Sequence, residues 1–146
     1  MQNCNCGGGH PEIRDYGPEP YVVNISHAAT MNQNFRTTLW TGKHLQLTLM
    51  CIPVGGEIGV EMHRDVDQFI RVESGFAKVY TGNCRNSLCE TACVDGNDAI
   101  FIPAGTWHNI VNMGSRPLKL YSLYAPPQHP RGTVHCTKED AEHEGH

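Results

Sequence analysis

The chain has 146 residues, of which 39% are hydrophobic and 18% are charged, and its formal net charge is −4. This composition predicts one globular domain that is long enough to bury a core of its own. The 11 lysine and arginine residues are scattered singly, so no basic stripe is available to follow a phosphate backbone, and no nucleic-acid partner is expected.

The lengths of the apolar runs and the N-terminal residues predict where the protein is located. The longest apolar runs have about four residues, so no membrane span is expected. The opening MQNCNCGGGHPE has neither the basic region nor the apolar core of a signal peptide, which predicts a cytoplasmic protein. The seven cysteines are then expected to be free thiols, with a zinc site or a disulfide at Cys84, Cys89 and Cys93 as alternatives.

The predicted elements begin after a Gly- and Pro-rich stretch. Residues 1–20 are predicted to be a mobile arm, residues 21–135 a folded domain with an extended C-terminal segment, and residues 136–146 a frayed, His-rich tail. A short strand is predicted over Tyr21 to Ile25, followed by a single helical turn or an irregular loop over residues 26–34.

A strand with a clear period of two runs from His44 to Ile52. One face carries alternate apolar residues and the other is mixed, which is typical of a strand whose faces meet different environments. Further strands are predicted at short spacing over residues 59–63, 68–74, 76–81, 88–94, 99–102, 107–113 and 118–124. Many short strands without a strong helical period favour an all-β sandwich or closed barrel.

Two segments carry the candidate chemistry, GGEIGVEMHRDVDQFIRVESG from Gly55 and GNDAIFIPAGTWHNIVN from Gly96. Glu61 and His63 are two apart on a predicted strand and so share a face, Gln68 can return to that side across a tight turn, and His108 follows the turn at residues 103–105. Two imidazoles, a carboxylate and an amide oxygen suit one divalent transition metal, Zn, Mn, Fe, Co or Ni. One or two coordination positions would stay open for water or substrate.

In order and spacing, these segments resemble the paired motifs of the cupin superfamily, G-x5-H-x-H-x3,4-E-x6-G and G-x5-P-x-G-x2-H-x3-N. The resemblance implies a single-domain double-stranded β-helix, the cupin jelly-roll barrel. It also implies a metal site whose ligands are Glu61 and His63 at the two histidine positions of the first motif, Gln68 at its acid position and His108 at the histidine of the second.

This sequence departs from the family pattern at two of those positions. A carboxylate, Glu61, stands where the motif has a histidine, and a neutral amide, Gln68, stands where it has a carboxylate. The total charge of the ligand set is unchanged, but the carboxylate and the neutral ligand have exchanged positions. The sequence of the first motif, GEIGVEMHRDVDQF, resembles that of small cupins of the mannose-6-phosphate-isomerase-like type.

Other polar groups are weaker candidates. Gln46, Thr48 and Met50 share a strand face and could line the barrel interior as substrate-binding residues. Tyr124 ends the last predicted strand, and His129 or His135 could fold over the barrel mouth, so Tyr124 and His129 are the candidate catalytic groups. The alternative is that the tail histidines lie on the surface.

The interpretation that these residues favour is a metal-dependent enzyme of isomerase or lyase type that acts on a small polar metabolite. Two alternatives stay open, a non-catalytic module that binds or senses a small ligand and an iron-dependent oxygenase. A homodimer is expected, because an apolar N-terminal strand with Tyr21, Val22, Val23 and Ile25 exceeds what one small barrel needs to bury.

Overall fold

The structure is a computed structural model that describes residues 13–143. Its elements in chain order are α1 (Ile25–Met31), β1 (Arg36–Thr41), β2 (Gln46–Ile52), β3 (Asp67–Ser74), β4 (Phe76–Gly82), β5 (Cys89–Asp95), β6 (Ala99–Ile102), β7 (Trp107–Asn112), β8 (Leu118–Ala125), β9 (Val134–His135) and α2 (Lys138–His143). No helix within this stretch is long and apolar enough to cross a bilayer.

The strands form two antiparallel sheets. The larger has the order β6-β3-β8-β2-β1-β9 and the smaller the order β5-β4-β7. Two isolated antiparallel bridges, Glu57 with Val111 and Glu61 with His108, join the segment between β2 and β3 to the outer side of β7. The predicted all-β double-stranded β-helix, in one domain, is confirmed.

The core lies between the two sheets. Met50 and Ile52 of β2 belong to the same buried cluster as Ile70 of β3 and Ile110 of β7. The outer face of β2 is buried as well, because Leu47 and Leu49 pack in a second cluster with the alanines of α1. Since β2 is covered on both faces, every residue from Gln46 to Ile52 is buried.

The segment from Gly96 ends at Asn112, whose side chain hydrogen-bonds to three other parts of the backbone. The Nδ2 amide of Asn112 donates toward the carbonyls of Ile52 (3.0 Å), Pro53 (3.2 Å) and Arg116 (3.0 Å), while its Oδ1 accepts from Gly114 N at 2.9 Å. Asn112 is 3% exposed. One side chain therefore ties the end of β7 to the end of β2 and to the turn that precedes β8.

The N-terminal segment differs from the predicted mobile arm over residues 13–20. Asp15 is buried, Tyr16 N donates to Leu39 O at 2.9 Å, and Trp40 Nε1 donates to Glu19 O at 2.7 Å. The segment is thus hydrogen-bonded along β1. Residues 1–12, the rest of the predicted arm, lie outside the described residues.

Two further local predictions are wrong. The segment from Tyr21 to Ile25 is not a strand: Asn24 caps α1 by accepting from His27 N at 3.0 Å, and Ile25 begins that helix. The segment after residue 136 is not simply frayed, since residues 138–143 form α2, with Ala141 buried in the core.

The cysteines do not all follow the expectation of free thiols. Cys51 and Cys136 each take part in a disulfide bond. The hairpin residues Cys84, Cys89 and Cys93 are exposed and free, so the alternative of a hairpin disulfide is wrong. Cys4 and Cys6 lie outside the described residues.

Candidate metal centre

Glu61 and His108 face each other across an antiparallel bridge. Glu61 N donates to His108 O at 3.0 Å, and His108 N donates to Glu61 O at 2.9 Å. Directly opposed residues of such a pair project their side chains from the same face. The backbone therefore places the carboxylate and the imidazole side by side inside the barrel.

His63 is held by the turn that precedes β7. Gly105 N donates to His63 O at 2.8 Å, and Ala104 N donates to the Oδ1 of Asp67 at 2.9 Å. Gly105 has a φ of 85°, a left-handed conformation that glycine adopts without strain. This turn thereby fixes the first candidate segment against the second, which brings His63 toward His108.

The three side chains converge on one point. Glu61 Oε2 lies 3.3 Å from His108 Nε2 and 3.5 Å from His63 Nε2, and one candidate ligand atom from each residue falls within 4.8 Å of the others. Atoms about 2.1 Å from one metal ion lie about 3.0 Å apart at right angles and about 3.4 Å apart at tetrahedral angles. The two shorter distances are therefore those expected of neighbouring ligands around a single ion.

The hydrogen bonding of these atoms also fits a metal. Glu61 Oε2, His63 Nε2, His108 Nε2 and Gln68 Oε1 are all enclosed, and none has a partner with hydrogen-bond geometry. Four such polar atoms in one interior are costly, because an unsatisfied buried polar group loses its hydration without compensation. A divalent ion would satisfy the three atoms that converge, so Glu61, His63 and His108 fit a bound metal.

The other ring nitrogen of His108 is already engaged. Its Nδ1 lies 2.9 Å from the carbonyl oxygen of Thr106. A carbonyl only accepts, so Nδ1 carries a hydrogen, and Nε2 is the ring nitrogen that faces Glu61 and is placed to bind a metal. Such a partner behind a ligating imidazole fixes its tautomer and orientation.

The charges in the centre support one another. Burial alone would raise the pKa of the Glu61 carboxyl, but its contacts with His108 and His63 hold that pKa well below the ordinary range. Burial lowers the pKa of His108, whereas Glu61 and the Thr106 carbonyl raise it more, so its net pKa is raised. The Glu61 carboxyl is thus anionic at any physiological pH, as a carboxylate ligand must be.

Gln68 lies on β3, where it is paired with Tyr124 of β8. Its Nε2 donates to Ser122 Oγ at 3.2 Å, and the residue is 3% exposed. The amide is therefore anchored through its nitrogen and presents Oε1 as the remaining acceptor. This arrangement is compatible with the predicted ligand role.

Tyr124 lines the interior next to the candidate ligands. Its ring lies edge-on to His63, with 5.6 Å between centroids, and edge-on to His129, with 5.3 Å. Complete burial raises the pKa of the Tyr124 phenol to about 12 despite the opposing effect of the Arg36 charge. The phenol thus keeps its proton at neutral pH and can serve as a hydrogen-bond donor.

The three predicted substrate-binding residues of β2 differ in their surroundings. The Gln46 amide donates to His129 O (2.7 Å) and Thr41 Oγ1 (3.0 Å) and accepts from the backbone N–H groups of Gln128 (3.0 Å) and His129 (2.9 Å). All its hydrogen-bonding capacity is spent on holding the tail to the barrel. Met50 packs in the core, while Thr48 contacts the Tyr124 phenol.

Sequence reasoning missed Arg36, the first residue of β1. Its side chain is only 3% exposed, and it lines a cavity of about 440 Å³ together with Glu61 and residues of α2. An arginine at the start of a strand carries no signal that separates a buried guanidinium from an ordinary exposed one. Only the pairing of Arg36 with Met50 and His135 shows that it faces inward.

The family model that matches this chain covers the candidate metal centre. The sequence model of the family described as Cupin domain matches residues 48–124, which include all four candidate ligands. The chain is 55% identical over 129 residues to the uncharacterized protein YrkC of Bacillus subtilis (strain 168), a match that covers 88% of this chain and 69% of that protein.

Two solved structures are similar in fold to this chain. The crystal structure of BH2720 from Bacillus halodurans superposes with a TM-score of 0.88 at 55% identity, and covers 90% of this chain and 99% of that one. An uncharacterized protein from Klebsiella pneumoniae with a double-stranded β-helix domain gives a TM-score of 0.56 at 20% identity, over 68% of this chain and 82% of that one. The second likeness concerns the fold alone.

Proposed function

This chain belongs to the cupin family, and from that premise we propose that it is a metal-dependent enzyme acting on a small polar metabolite. The observation that carries the proposal is the set of four enclosed ligand atoms without hydrogen-bond partners, contributed by Glu61, His63, Gln68 and His108. Two imidazole nitrogens and two oxygens suit Zn, Mn, Fe, Co or Ni. The charge of Glu61 would neutralise half of a divalent ion.

The surrounding side chains supply what such a site needs besides the ion. A bound divalent metal would act as a Lewis acid that polarises a carbonyl or enolate oxygen of the substrate. Tyr124, protonated and packed against His63, can donate a hydrogen bond to a polar group bound beside the metal. These features favour isomerase- or lyase-type chemistry over a site that only stores metal.

One observation also favours a second candidate, an iron-dependent oxygenase. The convergent cluster of Glu61, His63 and His108 is a two-histidine, one-carboxylate set, which is the ligand set of non-haem iron oxygenases. Oxygen uptake by the Fe(II)-loaded protein, but not by its Zn(II)-loaded form, would identify this activity.

The proposal is tested by a thermal-shift screen of small polar metabolites on Zn(II)-loaded protein. The expected result is a group of ligands that raise Tm in the wild type and not in His108→Ala, because ligand binding stabilises only the state that binds it. Ligands found in this way are then incubated with the loaded protein and followed by NMR. A chemical change would identify an enzyme. Equal stabilisation of both proteins would contradict a metal-dependent function, and binding without turnover would favour the non-catalytic module.

Gln68→Glu tests the departure from the family pattern. If Gln68 Oε1 is a ligand, a carboxylate there should tighten Zn(II) binding by about tenfold, the difference between a charged and a neutral contact. Calorimetric titration of the metal-free proteins measures this, with Gln33→Glu as a control of equal charge outside the candidate ligand set. Unchanged affinity with reduced stability would mean that Gln68 lies beside the metal without binding it.

A homodimer also belongs to the proposal. Val22 is 97% exposed and Phe101 is 74% exposed, and contact with a second copy of the chain would cover such apolar side chains. Sedimentation equilibrium of the full chain at micromolar concentrations is expected to give twice the mass of one chain. A monomer under those conditions would contradict the dimer.

A further inference from the structure

The cavity beside the candidate metal centre contains a buried arginine that the metal does not use. Arg36 lies at the start of β1, is 3% exposed, and lines the 440 Å³ cavity that Glu61 also lines. Cavities of this size commonly hold metabolite-sized ligands. We propose that Arg36 binds the carboxylate group of a small hydroxy- or oxo-acid in this cavity.

Arg36 contacts an imidazole and an aromatic ring, with its Cζ 5.4 Å from the Phe35 ring centroid, and neither of these neutral partners balances its charge. Nη1 lies 3.2 Å from Nδ1 of His135, and because a guanidinium can only donate, the imidazole nitrogen accepts. Nε is enclosed and has no hydrogen-bond partner. Among residues 13–143, no carboxylate forms an ion pair with Arg36. A buried, uncompensated charge is expensive, and a bound anion would offset it.

The other charges of the cavity favour a ligand with a single negative charge. Lys138 of α2 is paired with Glu57 at 3.6 Å and Glu142 at 4.0 Å, so its charge is already balanced. Arg85 lies over the Trp107 ring, 5.6 Å from its centroid. A carboxylate matches the planar fork of Arg36, whereas a doubly charged phosphate would add repulsion from Glu57 and Glu142.

The position of Glu61 indicates how the bound acid would be oriented in the cavity. Because Glu61 lines the cavity and Arg36 lies on β1, an acid held at Arg36 can extend its hydroxyl or oxo oxygen toward the metal. This second contact rests on the proposed function, whereas the carboxylate contact depends on Arg36 alone. The two can therefore be tested apart.

The experiment follows the Nε–H resonance of Arg36 by NMR in the Zn(II)-loaded full-length protein. Lactate is added as the carboxylate probe, lactamide as its neutral counterpart of similar shape, and methyl phosphate as the phosphate probe. The Arg36 resonance, identified by its absence in Arg36→Gln, is expected to shift in a saturable manner with lactate. Lactamide should leave it in place, and methyl phosphate should bind more weakly than lactate.

Two variants complete the test. Arg36→Gln should weaken lactate binding about tenfold or more, while Arg116→Gln, an exposed change of equal charge, should leave it unaltered. Should Arg36→Gln not fold, Arg36→Lys and the comparison of lactate with lactamide on the wild type decide the matter. Equal binding of lactate and lactamide, or an unmoved Arg36 resonance, would overturn the inference, and tighter binding of methyl phosphate would overturn the carboxylate assignment. A Zn(II) titration of the same proteins reports on the metal centre independently.

Discussion

Replacing His63 or His108 by alanine is expected to lower the affinity for Zn(II) on the order of 100-fold or more. Changes in groups that merely support a ligand already cost 10–100-fold, and these variants remove the ligand itself. Each change also opens the centre to water, which competes for the ion. Metal content after dialysis and the Kd from calorimetric titration are the measurements.

The terminal histidines and a surface histidine provide the controls. His143→Ser and His146→Ser are introduced in every protein so that the C-terminal run cannot bind metal while α2 stays in place. His44→Ala, an exposed position, should bind Zn(II) like the wild type. Equal metal content in all these proteins would mean that the centre lies elsewhere.

Replacing Asp15 by alanine is expected to destabilise the fold by about 3–5 kcal/mol. Its Oδ1 accepts from Gly17 N (2.9 Å) and Thr41 N (3.0 Å), and its Oδ2 accepts from Thr41 Oγ1 (2.5 Å) and Gly132 N (3.1 Å). One carboxylate thus ties the N-terminal segment to β1 and to the loop before β9. Urea denaturation of both proteins at fixed metal content measures the loss.

The effect of Asp15 depends on pH with a defined sign. Burial raises its pKa, but the hydrogen bonds from Thr41, Gly17 and Gly132 lower it more, so the net folded pKa lies below the ordinary value. The carboxylate therefore contributes its stability above an unfolded pKa of about 3.9 and loses it as pH falls through the folded value. The gap between the wild type and Asp15→Ala should narrow on acidification. A constant gap would contradict this origin, and Asp15→Asn should lie between the two.

The fold was predictable where local patterns agree with tertiary packing. The period of two in β2 and the two motif segments were enough for an antiparallel barrel. The failures lie where packing decides against local preference. Residues 21–25 are mostly β-branched or aromatic, yet Tyr21, Val23 and Ile25 pack on the outer cluster as a loop and the start of α1. The segment at residues 59–63 pairs only through an isolated bridge, and Gly59 there has a φ of 105°.

The candidate site was predictable only in part. Glu61, His63 and His108 converge as their spacing predicts, because a turn and a bridge fix their registers. The strand pattern does not show that the Gln46 amide binds the tail, because that contact depends on the tertiary structure. Arg36 contacts His135 and Asp15 contacts Gly132, in each case about a hundred residues away along the chain. No local sequence pattern predicts such long-range contacts.

The most direct test of the metal centre is an anomalous difference map of crystals grown from Zn(II)-loaded protein, with data collected on both sides of the zinc absorption edge. One strong peak is predicted about 2.0–2.2 Å from Glu61 Oε2, His63 Nε2 and His108 Nε2. A map without a peak at this point, in a crystal whose zinc is bound only at other residues, would contradict the account.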